Sequence, residues 1–164
     1  MTKIGILSDT HSYWNDRYAL HFADCDEIWH AGDIGDISIL ERLRAIGPKV
    51  RAVRGNIDHG AVNREAPEIE IFRIEDVKVL MTHIGGYPGR WSPGMKRLLR
   101  DEKIRLMVDG HSHILRVMFD KELDLLHVNP GAAGVQGWQQ KRTLVRLTIE
   151  GDGFSQCEVI ELSR

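Results

Sequence analysis

The sequence predicts an α/β fold extended by a further β layer, and three features predict it. Short apolar runs alternate with helix-like segments through the first hundred or so residues. The second half is richer in strand-like runs, and the last two runs flank a tight Gly-Asp-Gly turn. Strands alternating with helices and then followed by more strands are the pattern of an α/β core carrying added sheet.

Taken in order, the strand-like runs are Ile4–Leu7, Glu27–Ala31, Val50–Val53, Val77–Met81, Leu106–Val108 and Leu125–Val128. They are too short for helices, rich in Val, Ile and Leu, and bounded by Gly, Asp or Asn, which suits buried strands. Thr143–Ile149 and Phe154–Leu162 flank "EGDG" and are expected to form a hairpin. The clearest helix is Ile37–Ile46, with Ile37, Leu40, Leu43 and Arg44 at helical spacing, Ser38 near its start and Gly47-Pro48 closing it. Asn15–Asp24 and Met95–Glu102 are further helical segments. "IGGYPGRWSPG" (84–94) and "NPGAAGVQGW" (129–138) are Gly/Pro-rich loops that also carry aromatic residues.

The 164 residues are expected to form a single domain, 1–164, with one core. A 42% hydrophobic, 28% charged composition with net charge −2 excludes a disordered chain and a disulfide scaffold. The near-neutral balance argues against a general nucleic-acid binder. Cys25 and Cys157 lie far apart without CxxC spacing, so they are expected to be buried, reduced thiols. "MTKIGILSD" reaches an aspartate before a signal-length hydrophobic region builds, and no run approaches the ~20 apolar residues of a membrane span. These features predict a cytoplasmic protein with no membrane association.

The chemistry lies at the strand ends. "IGIL" is followed by Ser8-Asp9-Thr10-His11, "EIWHA" by Gly32-Asp33, and "VRAV" by Arg54-Gly55-Asn56. "VKVLM" is followed by Thr82-His83, and "LMV" by Asp109-Gly110-His111-Ser112-His113. In an open α/β sheet ligands bind beyond the carboxyl ends of strands, so these residues can converge. Glycines 32, 55 and 110 would let the backbone turn there. Asp9/His11 and His111/His113 share i, i+2 spacing, which places both members on one side if the chain is locally extended.

The convergent set is Asp9, His11, Asp33, Asn56, His83, His111 and His113. Seven oxygen and imidazole donors exceed what one metal ordinarily takes and suit two divalent ions. Such ligation favours Mn, Fe, Co, Ni or Zn over Mg or Ca. Two ions could bind the attacking and leaving oxygens of a displacement and activate water near neutral pH. His21, His30 and His127 fall outside the set and are assigned structural roles.

Asp9-x-His11, Gly32-Asp33, Gly55-Asn56, His83 and Gly110-His111-x-His113 resemble, in order, the motif series of calcineurin-like metallophosphoesterases. The short chain and the "GNxD" form are most similar to the compact YfcE-type phosphodiesterase branch. "VNPGAAG" resembles that branch's "NPGS"-type segment and extends the likeness to about residue 134. The resemblance implies a two-sheet β-sandwich flanked by helices, a four-layer α/β/β/α arrangement with a dinuclear centre at its edge. It assigns Asp9, His11 and His113 to one metal and Asn56, His83 and His111 to the other, with Asp33 bridging. It also implies two divalent transition-metal ions per chain, Mn placed first and Ni, Co, Fe or Zn as alternatives. A hydroxide between them would attack phosphorus in line.

The chain departs from that pattern at two places. Many relatives carry a histidine after the asparagine as the proposed general acid, whereas this chain has Ile57. Asn56, Asp58 and His59 are the catalytic candidates of this segment: Asp58 could orient a ligand or water, and His59 lies two residues past the usual acid position. Without a general acid, low-pKa leaving groups should be favoured. After His83 the unusual loop is expected to border substrate, with Tyr87 and Trp91 stacking on an aryl group or base and Arg90 binding a phosphate oxygen.

The function expected is hydrolysis of small phosphodiesters. Phosphomonoesterase, nucleotide pyrophosphohydrolase and nuclease activities are the alternatives within the enzyme class, although the short chain leaves no room for a DNA-capture domain. The rival from another class is a protein-interaction scaffold like the retromer subunit Vps29, which resembles the same compact fold. A mononuclear or metal-sensing protein is the third reading. Homo-oligomer formation stays open.

Overall fold

A computed structural model describes residues 1–162. Its strands are β1 (Thr2–Leu7), β2 (Glu27–His30), β3 (Lys49–Ala52), β4 (Ile69–Ile74), β5 (Val77–Thr82), β6 (Gly86–Tyr87), β7 (Arg90–Trp91), β8 (Leu106–Val108), β9 (Arg116–Asp120), β10 (Leu125–Asn129), β11 (Arg142–Glu150) and β12 (Gly153–Leu162). The helices are α1 (Arg17–Phe22), α2 (Ser38–Ile46), α3 (Ala61–Glu65) and α4 (Met95–Asp101).

Two five-stranded sheets have the orders β12-β11-β1-β2-β3 and β4-β5-β8-β10-β9. Each contains three adjacent parallel strands: β1, β2 and β3 in the first, β5, β8 and β10 in the second. Antiparallel strands complete them, β11 and β12 on one side of the first sheet and β4 and β9 at the two edges of the second.

Alternation along the strands decides the layering. Ile4 and Ile6 of β1, Trp29 of β2 and Val145 and Leu147 of β11 pack against Val79 and Met81 of β5, Leu106 and Val108 of β8 and Val128 of β10. Residues of the opposite parity face outward to helices. Leu7 and Ile28 meet Tyr18 and Phe22 of α1 and Leu40 and Leu43 of α2. On the second sheet, Leu80, Met107 and Leu125 meet Met95 and Leu99 of α4. The result is the α/β/β/α sandwich, with apolar burial in three clusters supplying its main cohesion.

The expected strands all form, with ends moved by a residue or two, as does the hairpin β11–β12. α2 starts at Ser38 and closes at Gly47, whose φ of 125° suits glycine. Five elements escape the sequence pattern, among them the two-residue strands β6 and β7, which pair within the stretch 84–94 expected to be a loop. In β4 exposed and half-covered residues alternate, and in β9 Val117, Met118 and Phe119 are all exposed. Edge strands seen by water on both sides lose the apolar run that marks a buried strand. α3 is a single five-residue turn with one buried residue, Val62.

Cys25 and Cys157 are free thiols as expected, but only Cys25 is buried, because Cys157 lies exposed on the outermost strand β12. Among the described residues no helix is long and apolar enough to cross a membrane.

Gly5 on β1 lies directly under the Phe22 ring, so a Cβ there would collide with the aromatic carbons. Gly5→Ala is expected to destabilise the fold by about 1–3 kcal/mol through overpacking, measured by urea denaturation.

Candidate metal centre

The parallel strands of the two sheets run out at a common edge, and five of them deliver the expected residues there. Beyond β1 lie Asp9 and His11, beyond β2 Asp33, beyond β3 Asn56, beyond β5 His83, and beyond β8 His111 and His113. The ligand atoms of Asp9, His11 and His113 all lie within 4.8 Å of one another, as do those of Asp33, His83 and His111. Asn56 Oδ1 stands 3.1 Å from His111 Nδ1, which places the asparagine with the second group. Asp33 Oδ2 is 3.5 Å from His11 Nε2 and 3.2 Å from His83 Nε2, so one oxygen faces both groups.

The local conformation is not the extended one that the i, i+2 spacing assumed. Asp9, His11, Asp33, His111 and His113 have φ values of 57°, 45°, 55°, 72° and 62°, in the left-handed region. Their side chains converge because the backbone coils past each strand end. Gly32 does turn with positive φ, at 102°. Gly55 and Gly110 serve a different need: a Cβ at either would collide with Asp33 or with Ser8. They let two loops touch.

Each carboxylate gives one oxygen to the protein and keeps the other for the site. Asp9 Oδ2 accepts from the Ser8 hydroxyl at 2.7 Å and the His111 amide at 3.1 Å. Asp33 Oδ1 accepts from the Ile57 amide at 3.1 Å. The imidazoles are oriented in the same manner. His83 Nδ1 donates to the Ala31 carbonyl at 2.7 Å, which turns Nε2 inward. His113 Nδ1 lies 2.9 Å from Gln139 Oε1. Gln139 Nε2 donates to the Gly134 and Gln136 carbonyls, so its oxygen is the atom left to accept from His113. The Nε2 of His113 is then the inward, unprotonated atom, 3.2 Å from Asp9 Oδ1.

Asp9 Oδ1, His11 Nε2 and His83 Nε2 are buried and lack hydrogen-bond partners among the described residues. Buried polar atoms are nearly always satisfied, and three such atoms aimed at one place fit divalent cations. The oxygen and imidazole donor set fits the same conclusion.

Electrostatics agree. Burial pushes the Asp9 carboxyl up, but the adjacent imidazoles of His11, His113 and His83 outweigh it and hold it far below the carboxylate range. Burial also pushes Asp33 up, and the neighbouring His83 imidazole brings it below normal. Burial opposes charge on His83, yet Asp33 and Asp9 raise it above the usual imidazole value, and Asp9 raises His113 likewise. Without cations, protons are attracted to the positions that cations would hold.

The remaining candidates separate clearly. Asp58 accepts from the amides of Ile34, Gly35 and Gly55 at 3.1, 2.9 and 2.7 Å. Its carboxylate therefore ties the Asp33 loop to the Asn56 loop and is not free to orient water. His59 is exposed and makes no hydrogen bond or ion pair among the described residues. Ile57 contributes its amide rather than its exposed side chain. His30 accepts from the Gly32 amide, bonds Thr10, and is pulled down to about 4 by burial. His127 pairs with Asp109 at 2.7 Å, both buried.

Of the three substrate candidates in the 84–94 loop, Tyr87 alone faces the site. It lines a hollow of about 240 Å3 that His111 also lines. Trp91 turns away: its indole donates to Asp120 at 3.1 Å and its ring meets His127 edge-on at 5.3 Å. Arg90 is exposed and lines no hollow beside the metal ligands. The arginine beside Tyr87 is Arg116, its guanidinium 3.9 Å from the ring centroid. A second hollow of about 220 Å3 adjoins Asn56 and His83 and holds Arg54 and Glu68, with Ile84 lining both. Arg116 and Gln139 belong to none of the strand-end motifs, and Arg54, which opens the third of them, is assigned no role by the sequence. The Gly-rich loop before Gln139 is the sequence signal beside that residue.

Comparison with known proteins agrees with this geometry. The sequence profile described as a calcineurin-like phosphoesterase superfamily domain matches residues 2–152. A protein named probable metallophosphoesterase from Methanocaldococcus jannaschii is 34% identical, covering 90% of this chain and 76% of its own length. Another of that name, from Methanothermobacter thermautotrophicus, is 31% identical over 91% of this chain and 87% of its own. Among solved structures, an archaeal phosphodiesterase superposes with TM-score 0.79 at 22% identity, covering 98% and 99% of the two chains. Vps29 of Chaetomium thermophilum superposes with TM-score 0.76 at 13% identity, covering 99% and 97%. These structural likenesses speak for the fold.

Two outcomes are expected. Gln139→Leu should weaken divalent-cation binding by about 10–100-fold, while Gln139→Glu, which keeps the acceptor, should retain most of it, measured by calorimetric titration. Binding also requires neutral imidazoles, and His83 and His113 are held above their ordinary value of 6.5. Affinity should therefore fall as pH drops from about 8 to about 6, with proton release accompanying binding in that window.

Proposed function

The chain belongs to the calcineurin-like phosphoesterase superfamily and is a metal-dependent phosphoester hydrolase, and from that premise we propose that it hydrolyses small phosphodiesters at a pair of divalent ions. Asp9, His11 and His113 would hold one ion and Asn56, His83 and His111 the other, with Asp33 Oδ2 shared. Mn is the first candidate, then Ni, Co, Fe or Zn. Bound there, such ions supply positive charge to the phosphoryl oxygens and lower the pKa of water toward neutrality. The protein's part is to fix their ligands. Asp33 is held by the Ile57 amide, Asp9 by Ser8 and the His111 amide, and His83 by Ala31.

The observation that carries the diester reading is a pair of hollows that both adjoin the second ligand group. One adjoins Asn56 and His83, the other adjoins His111, and Ile84 stands between them. A phosphodiester has two ester arms to place on either side of phosphorus, whereas a monoester has one. The side chain at 57 supports aryl or other low-pKa leaving groups, since Ile57 carries no proton and His59 lies outside the site.

The likeness to Vps29 favours a scaffold as the second reading. The buried, unpartnered Asp9 Oδ1, His11 Nε2 and His83 Nε2 weigh against it, because a scaffold gains nothing from that desolvation.

The test loads metal-free protein with each candidate ion, counts ions per chain and assays an aryl phosphodiester beside its monoester. Two ions and a preference for the diester are expected. Asp33→Asn should lower kcat/KM by at least about 100-fold, the order seen when a charge-stabilising group is lost. Fewer than two ions, or turnover indifferent to Asp33→Asn, would overturn the dinuclear reading. A preference for the monoester would overturn the substrate assignment.

A further inference from the structure

The two hollows beside the second ligand group differ in charge. The one beside Asn56 sets Arg54 against Glu68, a cation and an anion in the same lining. The one beside His111 has no carboxylate among its lining residues and contains one permanent cation, Arg116. That guanidinium lies over the Tyr87 ring at 3.9 Å, and among the described residues no carboxylate pairs with it. The ring contact fixes the guanidinium carbon over Tyr87, and its N–H groups make no hydrogen bond or ion pair among the described residues, an arrangement suited to an oxyanion. The rim is apolar, with Ile84 and Ile114 exposed at 47% and 42%. Such a lining accommodates a carbon skeleton ending in negative charge.

Arg116 is not one of the ligand residues. It starts β9, three residues beyond His113, and shares the hollow with His111 rather than with the Asp9 or Asp33 carboxylates. An anion carried on an ester arm that occupies this hollow would meet its guanidinium.

We infer that the hollow formed by Tyr87, Arg116 and His111 is a specificity subsite for an ester arm that carries its own anionic group, so that the substrates are phosphodiesters bearing a second phosphate or a carboxylate. This rests on the phosphodiesterase reading and narrows its substrate class. Arg116 supplies selectivity between diesters by pairing with the second anion, and Tyr87 holds Arg116 in place.

The test uses binding, so that it does not depend on turnover. Two methylphosphinates, whose arms are joined to phosphorus through P–C bonds that cannot be hydrolysed, are titrated calorimetrically into the metal-loaded protein, one with a benzyl arm and one with a carboxybenzyl arm. A third with a phosphonobenzyl arm distinguishes carboxylate from phosphate. The anionic arms should bind at least about tenfold more tightly, as expected of a hydrogen bond to a charged partner. Arg116→Gln should reduce that ratio to near one, and Arg116→Lys should restore only part of it, because ammonium lacks the planar fork. Matched melting temperatures exclude a folding defect in either variant. Equal affinities in the unsubstituted protein, or a ratio that survives Arg116→Gln, would overturn the inference. Failure to hydrolyse any aryl diester would instead overturn the phosphodiesterase reading, and the affinity ratio would still report on the subsite.

Discussion

The metal centre depends on a backbone network that continues past the ends of the strands. The Asp9 amide donates to Gly32 at 2.9 Å and the His11 amide to Asp33 at 3.0 Å, so the first two motif loops are zipped together. The Gly110 amide donates to His83 at 3.0 Å, joining the corresponding loops of the second sheet. Between the sheets, the His111 amide reaches Asp9 Oδ2. The loop after β10 closes the arrangement, with the Ala133 amide bonded to Ser8 and that of Gly134 to Asp9. Side chains placed on such a frame have little freedom to move apart, which is the condition for a defined cation site.

This frame explains why the electrostatics are tolerable. Two carboxylates and several imidazoles share a small, poorly hydrated volume, an arrangement that is costly without compensation. Each carboxylate is anchored through one oxygen by N–H or O–H donors. The opposing imidazoles then draw Asp9 and Asp33 down, and those of His83 and His113 are raised in turn. Asp58, bound by three backbone amides, braces the Asp33 and Asn56 loops together without entering that volume.

What was legible in the sequence follows from what varies with residue type. Buried central strands such as Leu106–Val108 announce themselves because both faces need apolar side chains. The ligand residues announce themselves because only Asp, Asn and His offer the donors. The edge strands β4 and β9 do not, since their exposed faces accept mixed composition. Gln139 is illegible for another reason: its role lies in which atom faces His113, and an isolated glutamine far along the chain gives no hint of that. Trp91 misled because an aromatic in a Gly/Pro-rich loop suggests exposure, while its indole found Asp120 and a partly covered position against His127. The i, i+2 spacing of the paired motifs identified residues that do converge, but through left-handed rather than extended backbone.

That last difference bears on function independently of any motif. Left-handed backbone costs a residue other than glycine about 1–2 kcal/mol, less where Asp or Asn can bond locally. Asp9, His11, Asp33, His111 and His113 all adopt it. Selection for stability alone would place glycine at such positions, as the chain does at Gly32 and Gly131. At the strand ends, that backbone aims the side chains at one place. Five of the nine non-glycine residues with positive φ among the described residues are ligand residues, the others being Ser12, Glu75, Lys103 and Asp124; together with buried atoms left without partners, this marks a site held ready for charge that the polypeptide does not supply. A surface used only for docking requires neither feature. The fold's stability must then come from the inter-sheet core and its two helix-covered faces, which are apolar and distant in kind from the chemistry. Sandwich and site are divided in labour: one supplies cohesion, and the other spends part of it on holding oxygen and nitrogen atoms in unfavourable places.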